Sequence, residues 1–326
     1  YFKNKKVLVT GGAGSIGSEI CRQLIRQMCK KVFCLDNNEY GIYKIRDLKD
    51  KSKKIDMILG DVNDYNFIVN FLKTHKVDVV IHCAAYKHVN ILENNLVQAV
   101  QNNTIGTYNL CKASLENNAD FLLISTDKAV EPTSILGYSK RAAENLTRFL
   151  SAKNPKKIAN IVRFGNVIGS SGSAIPNFLD QINNNSPITI THKKASRYFM
   201  SINQACYLVL KTFDLKIRNK IFFLEMGKPI SIYNLALKLI NLKKKILPDY
   251  RPSLKISGLK KGEKLREILY SGNKKYKTTN KMIYYLNEKK VNLIFIENNL
   301  NKLISGINKL THKSLKNLLK KIASFK

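Results

Sequence analysis

The segment KVLVTGGAGSIGSEI, residues 6–20, restricts the fold more than any other stretch of the chain. A β-branched, apolar run ends in three glycines spaced three apart, Gly11, Gly14 and Gly17, and a helical pattern including Ser18 to Gln27 follows at once. Glycines here permit a tight turn. They let the backbone N–H groups of Gly11, Gly14, Ser15, Ile16 and Gly17 approach a pyrophosphate, whose charge a helix N-terminus favours. The spacing alone fits a packing turn equally well. Its context decides, because the next apolar run, VFCLD, ends at Asp36, about 20 residues on, where a carboxylate can bond the adenosine ribose 2′-hydroxyl. An acid at that place repels a 2′-phosphate, so NAD is expected and NADP is disfavoured.

Beyond Asp36 the alternation continues. Short runs rich in Val, Ile and Leu (DMILG, DVVIHCAA, FLLIST, NIVRFGNV) are separated by amphipathic helical patterns. Strands without polar alternation are covered on both faces, which implies a parallel sheet between helix layers, a doubly wound α/β domain. After Gly169 the texture shifts to SSGSAIPNF, a polar NNNSP turn, a short strand ITI and a further α/β piece near IFFLEM. The expected division is a dinucleotide-binding domain of residues 1–170 plus about 201–226, a smaller substrate domain of 171–200 plus 227–280, and a basic helical tail of 281–326. With 326 residues and 44% hydrophobic content the chain can bury a large core.

The net charge of +33, from 56 Lys and Arg against 23 Asp and Glu, raises nucleic acid or anionic membrane as partners. The basic residues are mostly Lys and run from end to end without a groove-reading motif, so a solvated lysine-rich surface is expected and no nucleic-acid partner. The cysteines (Cys21, Cys29, Cys34, Cys83, Cys111, Cys206) stand singly in apolar segments without metal or disulfide spacing, as expected of core residues in a reducing, cytoplasmic compartment. No apolar run approaches the roughly 20 residues that span a bilayer, so no stable membrane insertion of this chain is expected. It opens without Met on a strand-like segment, and removal of an upstream segment is an expectation. Five scattered His offer no metal constellation.

The Gly-x-x-Gly-x-x-Gly spacing, with GDV (Asp61, Val62), HCAA, ISTD and Lys140, resembles the extended short-chain dehydrogenase/reductases. The segments AAYKHV, STDKAVEPTSILGYSKRAAE, VRFGNVIGSSGSAIPNF, THKKASRYFMSI and GLKKGEKLREIL narrow the resemblance to the polysaccharide-biosynthesis nucleotide-sugar 4,6-dehydratases that act on UDP-N-acetylglucosamine. This resemblance implies a redox-neutral reaction on a UDP-sugar: oxidation at C4, elimination of water across C5 and C6, and return of hydride to C6. It implies Asp127 as the acid at the C6 hydroxyl and Lys128 as the base at C5. Both directly follow the buried run FLLIS, at the carboxyl edge where such sheets bind ligands. A lysine base needs a lowered pKa and a carboxyl acid a raised one, whereas adjacent opposite charges push both the wrong way, so the site is expected to separate the two heads or seal them from water.

In most of the superfamily a Tyr-x-x-x-Lys pair lies one helical turn apart, and here Leu136 fills the tyrosine's place before Lys140. Tyr138, two residues on and about 200° around the helix, is expected to face away. Lys140 is expected at the nicotinamide ribose, and Thr126 is expected to pass the C4 hydroxyl proton. The resemblance also implies cofactor contacts from Ala84, Ala85, Asn103 and Thr104, and substrate contacts from Lys87, Asn166, Arg197, Glu263 and Lys264, with Tyr86 and His88 within reach. Arg and Lys suit a diphosphate and Glu suits ribose hydroxyls. A homo-oligomer is expected through helices of the sheet domain, with the apolar face of Ala99 to Leu115 open either to a second copy or to burial within the monomer. Two other readings compete: an epimerase or reductase on the same scaffold, and a non-catalytic NAD-binding protein.

Overall fold

A computed structural model describes residues 1–48, 52–247, 253–272 and 275–324. Six parallel strands are laid down in chain order: β1 (Lys6–Thr10), β2 (Lys31–Asp36), β3 (Ile55–Leu59), β4 (Val79–His82), β5 (Asp120–Thr126) and β6 (Ala159–Phe164). In space they run β3-β2-β1-β4-β5-β6, and the strand Ile221–Leu224 adds parallel to β6. The order reverses between β1 and β4, and open α/β sheets place their ligand crevice at such a reversal. Val7, Leu8 and Val9 of β1 and Val79, Val80 and Ile81 of β4 are fully buried, as expected of strands covered on both faces.

Helix starts follow the local chemistry. Asp64 accepts from Phe67 N and caps Tyr65–His75, and Ser134 accepts from Gly137 N at 3.0 Å and caps Ile135–Lys153. The first helix, Ser15–Arg26, differs: its N-cap is Gly14, which offers no side-chain bond. Its leading N–H groups therefore receive no partner from a capping side chain.

A second, smaller core gathers Phe178, Ile182, Ile188 and Ile190 against Ile232, Ala236 and Ile240, all from the segments expected to form a substrate domain. The expected boundary at 281 is not observed. Residues Ile283–Leu286 pair antiparallel with Ile221–Leu224 inside the large sheet, and Lys275–Lys277 forms its edge beyond them. The helices that follow, Leu293–Gly306 and His312–Ser324, are not peripheral. Leu303, Leu315, Leu319 and Ile322 are buried in the main core, each worth about 1.5–3 kcal/mol of apolar burial. Asn145 also donates to Ile322 O at 2.8 Å. The apolar face of Ala99 to Leu115 is likewise consumed within the monomer, where Ala99, Val100, Leu110, Cys111 and Leu115 are buried. No described helix is long and apolar enough to cross a membrane.

Candidate active site at the carboxyl edge of the sheet

Gly11 has φ +64°, and a methyl group on it would lie 2.5 Å from Ala84 N, so only glycine lets β1 and the segment after β4 come this close. One cleft results. Gly11, Gly14, Asp36, Asp61, Val62, Ala84 and Ala85 line it, together with Cys83, Tyr86 and Asn102. Asp36 is fixed at the rim, its Oδ2 accepting from Ala13 N and its Oδ1 from Asn38 N, both at 3.0 Å. Asp61 accepts from Asn63 N at 2.8 Å. Ser15 Oγ accepts from Ser171 N at 3.3 Å, Ile16 packs against the core, and Gly17 packs on the Gly11 carbonyl. Asn103 lies behind the wall of the cleft. It sits in a π-helical turn, Ala99–Ile105, a feature frequent at functional sites, and its amide grips Tyr86 through the backbone N at 2.8 Å and O at 3.0 Å. Thr104 donates to Ser139 O at 3.1 Å.

At the end of β5, a single 3₁₀ turn carries Asp127 and Lys128. Asp127 is completely buried, and its Oδ1 accepts from Thr126 Oγ1 at 2.9 Å and from Lys128 Nζ at 3.0 Å. Its Oδ2 is buried with no hydrogen-bond partner. Lys128 reaches on to Asn166 Oδ1 at 3.4 Å. The acid and base heads are thus in contact and not held apart; burial of the carboxylate supplies the shielding from water. Lys140 is also buried and donates to Ile124 O at 2.7 Å. Burial pushes its pKa down to about 8, against the opposing pull of Glu144 and Cys83. Leu136 is buried in the main core, while the Tyr138 ring lies 5.3 Å from Lys320 Nζ, on the side of the last helix.

Two buried polar groups behind this edge have no local sequence signature. Glu144 accepts from Ser125 Oγ at 2.6 Å, from Arg163 Nε at 2.7 Å and from Arg141 at 3.0 Å, and Glu288 ties Arg141 from the far side at 2.8 Å. Burial raises the Glu144 pKa, but Arg163 and Arg141 outweigh it and hold the carboxyl at about 2. His82 is wedged between Thr10 Oγ1 at 2.7 Å and Thr107 Oγ1 at 2.9 Å, and burial drives its pKa to about 3, so it is a neutral packing group.

The residues expected on the substrate side fall into two sets. Arg197 donates to Glu263 Oε1 at 3.0 Å and to Ser196 O and Leu265 O, and Thr191 Oγ1 also donates to Glu263. Lys264 reaches away from this pair to Val130 O at 2.8 Å. Lys87 donates to Ser171 O at 2.6 Å, with burial lowering its pKa, and His88 lies against Gly172. Among the described residues no group of His, Cys, Asp or Glu is placed to hold a metal ion.

The parallel sheet, its glycine turn and the charged run after β5 define an extended short-chain dehydrogenase/reductase. Within that class the chain belongs to the polysaccharide biosynthesis protein family, whose sequence profile matches residues 7–288. It is 41% identical over 275 residues to the capsular polysaccharide biosynthesis protein CapD of Staphylococcus aureus, covering 83% of this chain and 46% of that protein, so it spans about half of that relative's length. It is 32% identical over 296 residues to a UDP-glucose 4-epimerase of Rickettsia bellii (87% of this chain, 83% of that one). To the UDP-N-acetylglucosamine 4,6-dehydratase (inverting) of Campylobacter jejuni it is 29% identical over 300 residues (90% and 85%). The solved structure of Pen from Bacillus thuringiensis matches with a TM-score of 0.81 at 29% identity, over 94% of this chain and 99% of that one.

Proposed function

We propose that the protein is an NAD-dependent nucleotide-sugar 4,6-dehydratase acting on UDP-N-acetylglucosamine in the cytoplasm. The observation that carries this reading is the Thr126-Asp127-Lys128 cluster, in which a fully buried carboxyl keeps one oxygen unpartnered beside a lysine amine. Binding without chemistry would not require an orphaned buried oxygen, which costs about 1–3 kcal/mol.

The cleft suits a dinucleotide: an uncapped helix N-terminus for the diphosphate, a glycine turn that admits close approach, and Asp36 at the rim for a ribose. When bound, the nicotinamide supplies the oxidant for C4 and the reductant for C6, so the reaction has no net redox change. Gly11, Gly14, Asp36, Asp61, Val62, Ala84, Ala85 and Lys140 are the residues proposed to hold it, with Asn103 acting through Tyr86. Lys128 removes the C5 proton and returns it. Asp127 delivers a proton to the C6 hydroxyl, which leaves as water. Net over a turnover, the C4 hydroxyl proton replaces the one that Asp127 gives up. Thr126, whose hydroxyl donates to Asp127 Oδ1, is the group that joins those two sites. Arg197, Glu263, Asn166 and Lys87 are proposed to face the nucleotide sugar.

A 4-epimerase on this scaffold needs neither the Asp127 nor the Lys128 side chain, and enzymes of that kind usually rely on the tyrosine that Leu136 replaces here. Mass spectrometry of UDP-N-acetylglucosamine incubated with the protein separates the readings. Loss of one water is expected; a product of unchanged mass that chromatography resolves from the substrate before mass analysis indicates an epimerase, and substrate recovered alone indicates another substrate or a binding protein.

A further inference from the structure

The segment 258–271 does more than border the substrate side of the site. Gly262 has φ +80°, and a methyl on it would lie 2.7 Å from Ser134 Cβ and 2.9 Å from Glu93 Oε1, so the loop is pressed against the start of the helix that carries Lys140. Thr133 Oγ1 donates to Gly262 O at 3.1 Å, and Ser271 Oγ bonds the Glu131 carboxylate. Lys264 Nζ donates to Val130 O at 2.8 Å, with Glu267 Oε2 at 3.4 Å on its other side. Glu267 is itself buried.

Val130 closes the catalytic turn. Its own N–H donates to Asp127 O at 3.0 Å, so the carbonyl that Lys264 grips belongs to the residue ending the turn that Asp127 and Lys128 begin. The next residue, Glu131, has φ +44° immediately before Pro132. That conformation is unfavourable for a side-chain-bearing residue and persists only where surrounding contacts enforce it. Lys264, Thr133 and Ser271 are those contacts, and all three join this strained stretch to the loop whose Glu263 holds Arg197.

We infer that Lys264 is a positioning residue for the Asp127–Val130 turn, and not a ligand of the substrate diphosphate. Through it the nucleotide-sugar loop sets where the Lys128 amine and the Asp127 carboxyl stand. The tie is a property of the fold; its consequence for turnover rests on the dehydratase reading above.

The test uses the full chain with Lys264→Met, Lys264→Arg and Thr133→Val. Steady-state kinetics on UDP-N-acetylglucosamine are combined with hydrogen–deuterium exchange of peptides spanning 127–134. Displacement of a catalytic group by about 1 Å can cost ~10²-fold. Lys264→Met should therefore lower kcat by ~10- to 100-fold, leave KM within about 3-fold and speed exchange in the turn by about 10-fold or more. Lys264→Arg should recover most of both, since a guanidinium can donate to the same carbonyl and pair with Glu267. A KM raised about 10-fold or more with kcat and exchange unchanged would overturn the inference and return Lys264 to the substrate. Should Lys264→Met fail to fold, Thr133→Val at its exposed position decides: faster exchange of 127–134 upholds the clamp, and unchanged exchange overturns it. Should the wild-type protein leave UDP-N-acetylglucosamine intact, the dehydratase reading fails while the exchange measurements still decide the role of Lys264.

Discussion

Replacing Lys140 by Met separates what the fold needs from what the chemistry needs. The ammonium is buried and its pKa falls from the ordinary 10.5 to about 8, chiefly through burial. At 1.36 kcal/mol per pKa unit, that displacement means that holding the charged form in place costs about 3 kcal/mol at pH 7. Met fills a similar volume without the charge but gives up the bond to Ile124 O, worth about 1 kcal/mol. The cofactor-free Lys140→Met protein should therefore be about 2 kcal/mol more stable than wild type at pH 7, while turnover is lost. The pH dependence is more diagnostic. Because the folded-state pKa lies below the unfolded one, the unfolded chain binds more protons between pH 8 and 10.5, and wild-type stability rises with pH across that window. The variant lacks this contribution, so its advantage should shrink by about 2 kcal/mol between pH 7 and pH 9.5. Urea unfolding at the two pH values, with both proteins stripped of nucleotide, measures it. A variant less stable than wild type at pH 7, or a gap that does not move with pH, would show that the lysine is accommodated without strain and refute the reasoning.

Asp127→Asn keeps shape and hydrogen bonding but delivers no proton, and turnover should drop 10²–10⁴-fold, roughly 3–5.5 kcal/mol, with substrate affinity little changed; near wild-type turnover removes Asp127 from the mechanism. Thr126→Val should prevent reduced nicotinamide from accumulating in a single turnover followed by stopped-flow absorbance, whereas Lys128→Met should trap it before elimination. Normal accumulation in Thr126→Val, together with its loss in Tyr138→Phe, would transfer the relay to Tyr138. Nucleotide extracted from the purified protein should be mostly NAD, and a preponderance of NADP would show that Asp36 does not bind the ribose.

What was legible in the sequence is what depends on neighbours along the chain. The glycine turn, Asp36 at the end of its strand and the charged run after FLLIS are each fixed by local geometry, since one strand end and one helix start place every residue between them. The side on which Tyr138 lies follows from the helical repeat alone, and its ring is found beside Lys320. What escaped were long-range partners. The sequence offers Lys264 as a diphosphate ligand because residue type tells what an ammonium can bond, not which acceptor the fold brings to it; in the structure its acceptor is Val130 O, 134 residues away. Asn103 reads in the sequence as a cofactor contact; nothing local shows that its side chain bonds the backbone of Tyr86, 17 residues upstream on the cleft lining, and Ser139 Oγ. The strand Ile283–Leu286 escaped because four residues in a Lys- and Asn-rich stretch carry too little periodicity to stand out, and only pairing with Ile221–Leu224 gives them their place.

The stretch from Thr126 to Lys140 concentrates features that weaken a fold. Asp127 Oδ2 is buried without a partner, Glu131 is in the left-handed region ahead of a proline, and Lys140 is a buried cation. Each costs on the order of 1–3 kcal/mol, against a typical total stability of only 5–15 kcal/mol. A turn serving only to connect β5 to the next helix would gain nothing from keeping them. Around that stretch the opposite holds. Glu93 accepts from Ile135 N at 2.7 Å, Ser134 caps the helix, Glu144 bonds Ser125 of β5 and Arg163 of β6, and Lys264 bonds the end of the turn from the 258–271 loop. Unfavourable groups at the centre, held by a satisfied polar shell, are what preorganisation for proton transfer requires: donors and acceptors fixed before substrate arrives, with little reorganisation left for the reacting step. By the same logic the shell's residues should be the less replaceable for stability, and the central ones the less replaceable for chemistry, so substitutions at Lys140 and Lys264 should move stability in opposite directions.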